Sequence, residues 1–140
     1  MKKLISLLLS LTLLLSSAGK AFAALPEEDT VEPMYVYMGD IDADLTINES
    51  TGVATCTGRC PVGNADSVTL VCTLQRYNNM WITVKRWTVT SSLIATIQET
   101  WTVASGQPYR VYVTATAYDA DGNELESGFK TAGYFYPPQS

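Results

Sequence analysis

Residues 106–117 read GQPYRVYVTATA, and from position 109 onward every second residue is apolar or aromatic. Side chains alternate between the two faces of a β-strand, so a period of two predicts one buried face and one exposed face. This is the longest regular alternation in the chain. It predicts a buried strand whose inward row is Tyr109, Val111, Val113, Ala115 and Ala117.

Shorter alternating runs lie on both sides of this strand, and turn residues separate them. About seven strands are predicted, over residues 41–47, 54–58, 68–74, 81–89, 94–103, 109–117 and 124–136. Asn78-Asn79 and Asp121-Gly122 mark tight hairpin turns, because asparagine and glycine tolerate a positive φ. Short strands with turns roughly every 8 to 12 residues are typical of sandwiches, so the predicted fold is an all-β antiparallel sandwich.

The N-terminus carries the three parts of a secretory signal peptide. Lys2 and Lys3 give a basic start, an apolar run covers residues 4–15, and Ala21-Phe22-Ala23 forms a small-residue cleavage site. The run is shorter than the about 20 apolar residues that cross a bilayer core. The sequence therefore predicts a signal peptide over residues 1–23, secretion, and no stable membrane anchor.

The mature chain is predicted to be a short linker followed by one domain. Residues 24–33 are acidic, contain proline and offer little to bury, which predicts a flexible N-terminal linker. Residues 34–140 then form a single β-sandwich domain. Three of the nine basic residues leave with the signal peptide, so six basic residues face 14 acidic ones and the net charge is −8. That charge argues against nucleic acid as a partner.

Two stretches resemble strands of fibronectin type III and immunoglobulin-like sandwiches. Residues 106–115 look like their penultimate strand, with Tyr109 in the place of the corner tyrosine, whose hydroxyl ties back to the preceding loop. The hairpin from Leu74 to Trp81 looks like their second and third strands. With the signal peptide and the ATCTG stretch at 54–58, the chain is similar to a group of small secreted Gram-positive proteins of unknown function. The resemblance implies a fold and export, but no activity.

Cysteine usage leaves two interpretations open. Export permits a disulfide, and Cys56 and Cys72 fall on strands interpreted as neighbours, so a bridge between them is predicted. Cys60, beside Pro61 in a predicted turn, is then the spare thiol. The alternative is that Cys56 and Cys72 are buried free thiols that act as small apolar side chains.

The sequence contains few of the side chains that enzymes use for catalysis. The chain contains no histidine, which excludes Ser-His-Asp triads, Cys-His pairs and histidine-containing zinc sites. Alternate residues of a strand lie about 6.5–7 Å apart, so a carboxylate pair among Asp40, Asp42 and Asp44 has a spacing that hydrolysis allows. A sandwich of this size offers little room for a cleft. No catalytic residue and no cofactor is therefore predicted.

Two acidic runs resemble the start of an EF-hand calcium loop, with hard oxygen ligands on alternate residues. Both runs lack the glycine needed at the sixth position and the glutamate needed at the twelfth. A solvated strand face and a hairpin turn are the preferred interpretations, so no metal site is predicted. The weak calcium candidates are Asp40, Asp42 and Asp44 in the first run and Asp119 and Asp121 in the second.

Aromatic residues are the most suggestive feature, and a speculative ligand site is assigned to Trp81, Trp87, Tyr112 and Tyr118. The two tyrosines alternate with the inward row and are predicted to point outward. Trp81 and Trp87 share parity with polar neighbours, which indicates that one of these rings lies outside the core. Exposed rings can stack on sugars. The alternatives are core packing and cross-strand aromatic pairs that stabilise the sheet without a ligand.

Three classes of function remain. A secreted non-catalytic binding or adhesion module, with an extracellular protein or carbohydrate as its ligand, predicts a contiguous exposed aromatic patch. A structural or self-assembling extracellular component predicts pairing of edge strands between copies. A small carboxylate-based hydrolase predicts a cleft with convergent carboxylates. The binding module is the preferred hypothesis, by elimination.

Overall fold

The structure is a computed structural model that describes residues 34–140. The predicted signal peptide and acidic linker lie outside the described residues. Seven strands form two sheets, ordered β1-β2-β5 and β4-β3-β6-β7, and every pairing is antiparallel. The strands are β1 (Asp42–Asn48), β2 (Val53–Pro61), β3 (Ser67–Tyr77), β4 (Trp81–Ser91), β5 (Ile94–Thr102), β6 (Gln107–Tyr118) and β7 (Glu124–Tyr136). The predicted antiparallel sandwich of about seven strands is confirmed.

The inward row of β6 lies in the core, as its alternation predicts. Every member of that row, from Tyr109 to Ala117, is at most 1% exposed. β6 is flanked by β3 and β7, and β3 contributes a second buried row that ends at Leu74. The hydroxyl of Tyr109 donates a hydrogen bond to the carbonyl oxygen of Ala104 at 2.6 Å. This is the tie to the preceding loop that the resemblance implies.

The two predicted hairpin turns adopt the backbone conformations that their residues favour. Asn79 has a φ of 61° and Gly122 has a φ of 84°. Both values lie in the left-handed region, where asparagine and glycine are tolerated best. The strands on either side, β3 with β4 and β6 with β7, therefore pair as neighbours in one sheet.

The two sheets approach closely at Gly58 in β2. A Cβ atom added there would lie 3.1 Å from Cγ1 of Val113 and 3.5 Å from Cδ2 of Leu70. These two residues belong to the opposite sheet, so the missing side chain of Gly58 sets the local separation of the sheets. The packing at this point leaves no room for a larger residue.

The interpretation of the strands that carry Cys56 and Cys72 as neighbours is wrong, since β2 and β3 belong to different sheets. The connection after β2 carries the chain across the core, whereas a hairpin would have kept it in one sheet. The predicted bridge is not formed in the structure, where Cys56, Cys60 and Cys72 are buried free thiols. Cys60 is also misplaced by the sequence interpretation, because it lies inside β2 and not in a turn. The alternative of small apolar thiols describes this arrangement.

Burial suppresses ionisation of all three thiols. It raises the pKa of Cys56 from 9.0 to about 12, with a smaller contribution from the charge of Cys72. Burial likewise raises the pKa values of Cys60 and Cys72 to about 11. Between about pH 9 and pH 11 the folded state therefore holds more thiol protons than the unfolded state. It follows that the free energy of unfolding falls as the pH rises through this window.

We expect iodoacetamide at about pH 8 to leave the folded protein unlabelled, because only thiolates react and the folded thiols stay protonated and shielded. The same protein in denaturant should take up label at all three cysteines, as counted by mass spectrometry. Rapid labelling of the folded protein at one position would show that this thiol is accessible. Cys60, at the end of β2, is the most informative position to watch.

Candidate binding face

The two outer faces of the sandwich differ in chemistry. On the three-stranded sheet, the central outward rows are polar, and one of them consists of Asp44, Thr57 and Gln98. The row at one end pairs Pro61 with the exposed Ile94. On the four-stranded sheet, the outward rows contain aromatic rings and arginine among threonines. This second surface is called the aromatic face. It is defined by Thr69, Val71, Thr73, Gln75 and Tyr77 of β3; Trp81, Thr83, Arg86, Thr88 and Thr90 of β4; Pro108, Arg110, Tyr112, Thr114 and Thr116 of β6; and Ser127, Phe129, Thr131, Gly133 and Phe135 of β7.

Five side chains form a continuous row across this face. The ring centroids of Tyr77 and Trp81 are 5.1 Å apart. The guanidinium carbon of Arg110 lies 4.3 Å from the centroid of Trp81 and 5.4 Å from that of Tyr112. Tyr112 in turn stacks on Phe129, with centroids 5.3 Å apart and planes inclined by 15°. This aromatic–arginine row spans all four strands of the sheet.

Arg110 stands at the centre of the row and is held in place by its neighbours. Its Nε donates a hydrogen bond of 2.7 Å to Oε1 of Gln75, its register partner on β3. A cation within about 6 Å of a ring centroid is attracted to the ring's electron density. Arg110 satisfies this condition for both Trp81 and Tyr112. The hydrogen bond and the two rings together fix the plane and position of the guanidinium group.

The side chains of this face make a second layer over the sheet. Thr73 points outward between Arg86 and Tyr112, yet only 4% of its surface is exposed. Nε of Arg86 donates a hydrogen bond of 3.3 Å to the hydroxyl of Thr73. A threonine on the outer face of a sheet is ordinarily exposed to solvent, so the neighbouring side chains must cover Thr73.

Large apolar surfaces of this layer are open to solvent. Phe129 is 59% exposed, Phe135 is 54% exposed and Tyr77 is 43% exposed. Met80, in the hairpin between Tyr77 and Trp81, is 65% exposed. Single exposed apolar residues are common, but a group gathered on one face is typical of an interaction surface.

The structure brings together two of the four predicted site residues. Trp81 and Tyr112 both lie in the aromatic–arginine row, where Arg110 contacts both rings. Trp87 lies on the inner side of β4 and packs against the core. Tyr118 ends β6, half-buried, and is not part of the row.

A β-bulge in β4 explains why Trp81 and Trp87 point to opposite faces of the sheet. Thr83 pairs with Gln75, while Lys85 pairs with the preceding residue of β3. One extra residue in β4 therefore reverses the alternation between these positions. Six residues apart, Trp81 and Trp87 would share a face in a regular strand, but they point to opposite faces here.

The sequence interpretation missed Arg110, Tyr77 and Phe129. A signal for Arg110 was present, since it alternates with the inward row and is followed two residues later by Tyr112. Phe129 gave no comparable signal, because two glycines and a register shift near Ala117 disturb the alternation of β7.

Trp101 lies apart from this face. It is 42% exposed on β5, at the edge of the sandwich where β4 and β5 approach each other. Nζ of Lys85 lies 4.8 Å from its ring centroid. Trp101 is thus a single exposed ring in contact with one lysine. The aromatic face instead presents four rings in contact through Arg110 and through one another.

The acidic calcium candidates lie at two other places. Asp40, Asp42 and Asp44 are exposed, and Asp42 is 3.6 Å from Arg59 in an exposed ion pair. The carboxylate of Asp119 accepts hydrogen bonds from the loop that follows it, and those from Asn123 lower its pKa most. Across residues 34–140, no group of three or more acidic, cysteine or histidine side chains is placed to hold a metal ion.

Comparison with protein-family models, with curated proteins and with solved structures returns no significant match. The likeness to small secreted sandwich proteins therefore depends on the residues quoted above. Within the part of the chain that the structure describes, no helix is long and apolar enough to cross a membrane.

Proposed function

We propose that this protein is a secreted, non-catalytic binding or adhesion module that acts at the cell exterior and holds its ligand on the aromatic face. The observation that carries the proposal is the aromatic–arginine row, a contiguous set of rings with Tyr77 and Phe129 exposed at its two ends. A patch of this kind is what a binding module requires. Secretion follows from the signal sequence over residues 1–23.

The chemistry of the face suits binding better than catalysis. Its charged groups are guanidinium groups, which keep their protons at any physiological pH. General acid–base catalysis uses histidine or carboxylate side chains, and the residues that define the aromatic face include neither. The nearest carboxylate along the outward side is that of Glu124, which lies beyond the face in register with Tyr118. The outward residues of the opposite sheet include no aromatic ring, so the aromatic face is the better candidate for a binding surface.

The resemblance to fibronectin type III-like secreted proteins of Gram-positive bacteria fits this proposal. It is supported by the tie from Tyr109 to Ala104 and by the division of the strands into a sheet of three and a sheet of four. Sandwiches of this class present their sheets and loops to very different ligands. The ligand must therefore be argued from the aromatic face itself.

The test uses the secreted form of the protein, collected from the culture medium. It is incubated with insoluble polysaccharides, peptidoglycan, whole cell walls, and beads coated with collagen or fibrinogen, and the bound fraction is measured after sedimentation. We expect binding to at least one of these solids. The double variant Tyr77→Ser, Phe129→Ser should bind about tenfold or more weakly, because a few central aromatic residues dominate the energetics of most interfaces.

The matched control is the double variant Gln98→Ser, Thr100→Ser, on the exposed outer face of the other sheet. It should bind like the wild-type protein, and circular dichroism and thermal unfolding should show that both variants keep the fold. Equal binding by the aromatic variant and the control would refute the assignment of this face. Failure to bind any of these solids would count against the adhesion module and favour the self-assembling component.

A further inference from the structure

We infer that two copies of this protein associate edge to edge through β5 and join their three-stranded sheets into one antiparallel sheet. This inference goes beyond the proposed function, because β5 lies in the sheet opposite the aromatic face. Three observations carry it: the main-chain groups along one edge of β5, the lack of features that protect this edge, and the order of its side chains.

One edge of β5 presents main-chain groups to solvent. β5 pairs with β2 on one side, and among residues 34–140 no strand pairs with it on the other. The N–H of Val62 donates to the carbonyl oxygen of Leu93, and the N–H of Val103 donates to that of Gly52. Since bonded pairs alternate along an antiparallel ladder, the odd-numbered residues of β5 bond to β2 and the even-numbered ones face the outer edge. The even-numbered residues, all exposed, are Ile94, Thr96, Gln98, Thr100 and Thr102.

The other edge strands carry features that oppose pairing with a second chain. β1 presents the exposed carboxylates of Asp42 and Asp44. β4 contains a bulge together with Lys85 and Arg86, and β7 contains Lys130 and a register shift near its start. β5 contains no proline, lysine or arginine, and its register with β2 is continuous. A regular edge of this kind is a template for another strand.

The side chains of β5 are ordered so that the strand matches a reversed copy of itself. Its large apolar residues are exposed near both ends, with Leu93 and Ile94 at one end and Trp101 at the other. Two copies that run antiparallel with Gln98 opposite Gln98 bring these two ends together. Trp101 of each copy then lies opposite the small Ala95 of the other, which leaves room for the indole ring. The pairing therefore covers apolar surface at both ends of the strand.

The same register suits the main chain and the charges. It places even-numbered residues opposite even-numbered ones, so the N–H and C=O groups of the two outer edges meet. Thr96 of each copy lies opposite Thr100 of the other, a pair whose hydroxyl groups form cross-strand hydrogen bonds. Glu99 is the one charged residue of β5. It lies opposite Ile97 of the second copy, so no two carboxylates face each other directly.

This pairing gives a closed dimer with both aromatic faces uncovered. A strand pair in which Gln98 faces its own copy is twofold symmetric, so each edge is used once and the assembly ends at two copies. Opposed residues of paired strands lie on the same side of a sheet. Both aromatic faces therefore lie on one side of the dimer. Where the proposed function holds, two faces bind one surface together and raise the avidity.

The test measures the oligomeric state of the secreted protein by sedimentation velocity over a wide range of protein concentration. We expect monomer and dimer in equilibrium. Gln98→Pro removes an N–H that faces the outer edge and leaves the bonds to β2 in place, as proline at a sheet edge allows. The dimer dissociation constant should rise about tenfold or more. The variant Gln98→Ser, Thr100→Ser keeps every main-chain N–H of the edge and should still dimerise.

Two charge variants test the register itself. Gln98→Lys and Gln98→Glu each place like charges directly opposite each other, which should raise the dissociation constant about fivefold. A mixture of the two variants should restore the dimer, because a lysine then faces a glutamate. Thr46→Lys adds the same charge to the outer face of β1, and it should leave the constant within about twofold of the wild-type value. Circular dichroism and thermal unfolding check that each variant is folded.

The other outcomes separate this inference from the proposed function. A monomer at every concentration would overturn the inference and leave the aromatic face as a binding surface. A dimer that ignores the changes at Gln98 and is lost in Tyr77→Ser, Phe129→Ser would also overturn it, since the contact would then lie on the aromatic face. Assemblies larger than a dimer would overturn the closed pairing and favour the self-assembling component. A dimer with the expected responses that binds none of the solids would uphold the inference while the proposed function fails.

Discussion

Replacing Gly58 by valine is expected to lower the free energy of unfolding by about 2–3 kcal/mol. A single Cβ atom at this position already lies 3.1 Å from Cγ1 of Val113 and 3.5 Å from Cδ2 of Leu70. Two further methyl groups must displace side chains that are themselves fully buried. The sheets must then separate locally, or the buried side chains must leave their preferred rotamers. For a domain of about 100 residues this loss lowers the midpoint of thermal unfolding by roughly 10 °C.

Gly133→Val is the matched control for this substitution, since it makes the same chemical change in the other glycine environment. Among residues 34–140, its Cβ atom meets no side chain within 4 Å, and valine favours strand geometry more than glycine does. We expect its unfolding free energy to equal or slightly exceed that of the wild-type protein in urea titrations. Equal stability of the two variants would show that the sheets separate at little cost near Gly58.

The strands could be predicted because each has its own local sequence pattern. The alternation in β6 and β3 is long and regular, and it decides which side chains are buried without reference to any other part of the chain. The hairpin turns at Asn79 and Gly122 are equally local, since a positive φ is a property of one residue. Such features depend on short-range sterics, which a sequence displays directly.

The assignment of strands to sheets could not be predicted in the same way. β2 and β3 are consecutive, and a hairpin between them was as reasonable as a crossing between sheets. The structure places them in opposite sheets, and the charge of Cys72 still raises the pKa of Cys56. Whether a connection turns back or crosses is decided by the packing of all seven strands. The bridge that was predicted from neighbouring strands is not formed in the structure.

The candidate site was predictable in part for a similar reason. Tyr112 follows from the alternation of β6, whereas Trp81 and Trp87 have the same parity and differ only because a bulge lies between them. A bulge is fixed by the partner strand and leaves little trace in composition. The contact of Arg110 with Trp81 joins β6 to β4 across the intervening strand, which no local pattern contains.

The hydroxyl of Tyr109 gives the second large expected effect. Tyr109→Phe removes the 2.6 Å hydrogen bond to the carbonyl oxygen of Ala104 and keeps the ring, which is 1% exposed. Loss of a hydrogen bond at a buried position costs about 1–2 kcal/mol, so urea titration should show a decrease of this size. Tyr118→Phe, on a half-buried residue at the end of the same strand, is the control and should stay within about 0.5 kcal/mol of the wild-type value.

The pH dependence of this variant distinguishes the hydroxyl from a change in packing. Burial raises the pKa of Tyr109 above its ordinary value of 10.0, so the folded state retains the phenol proton after the unfolded state has lost it. The free energy of unfolding of the wild-type protein therefore falls as the pH rises above about 10. Tyr109→Phe lacks this contribution, and its decline in alkaline solution should be shallower than that of Tyr118→Phe. Parallel declines would mean that the Tyr109 hydroxyl loses its proton equally readily in both states, so that burial does not raise the pKa of this phenol.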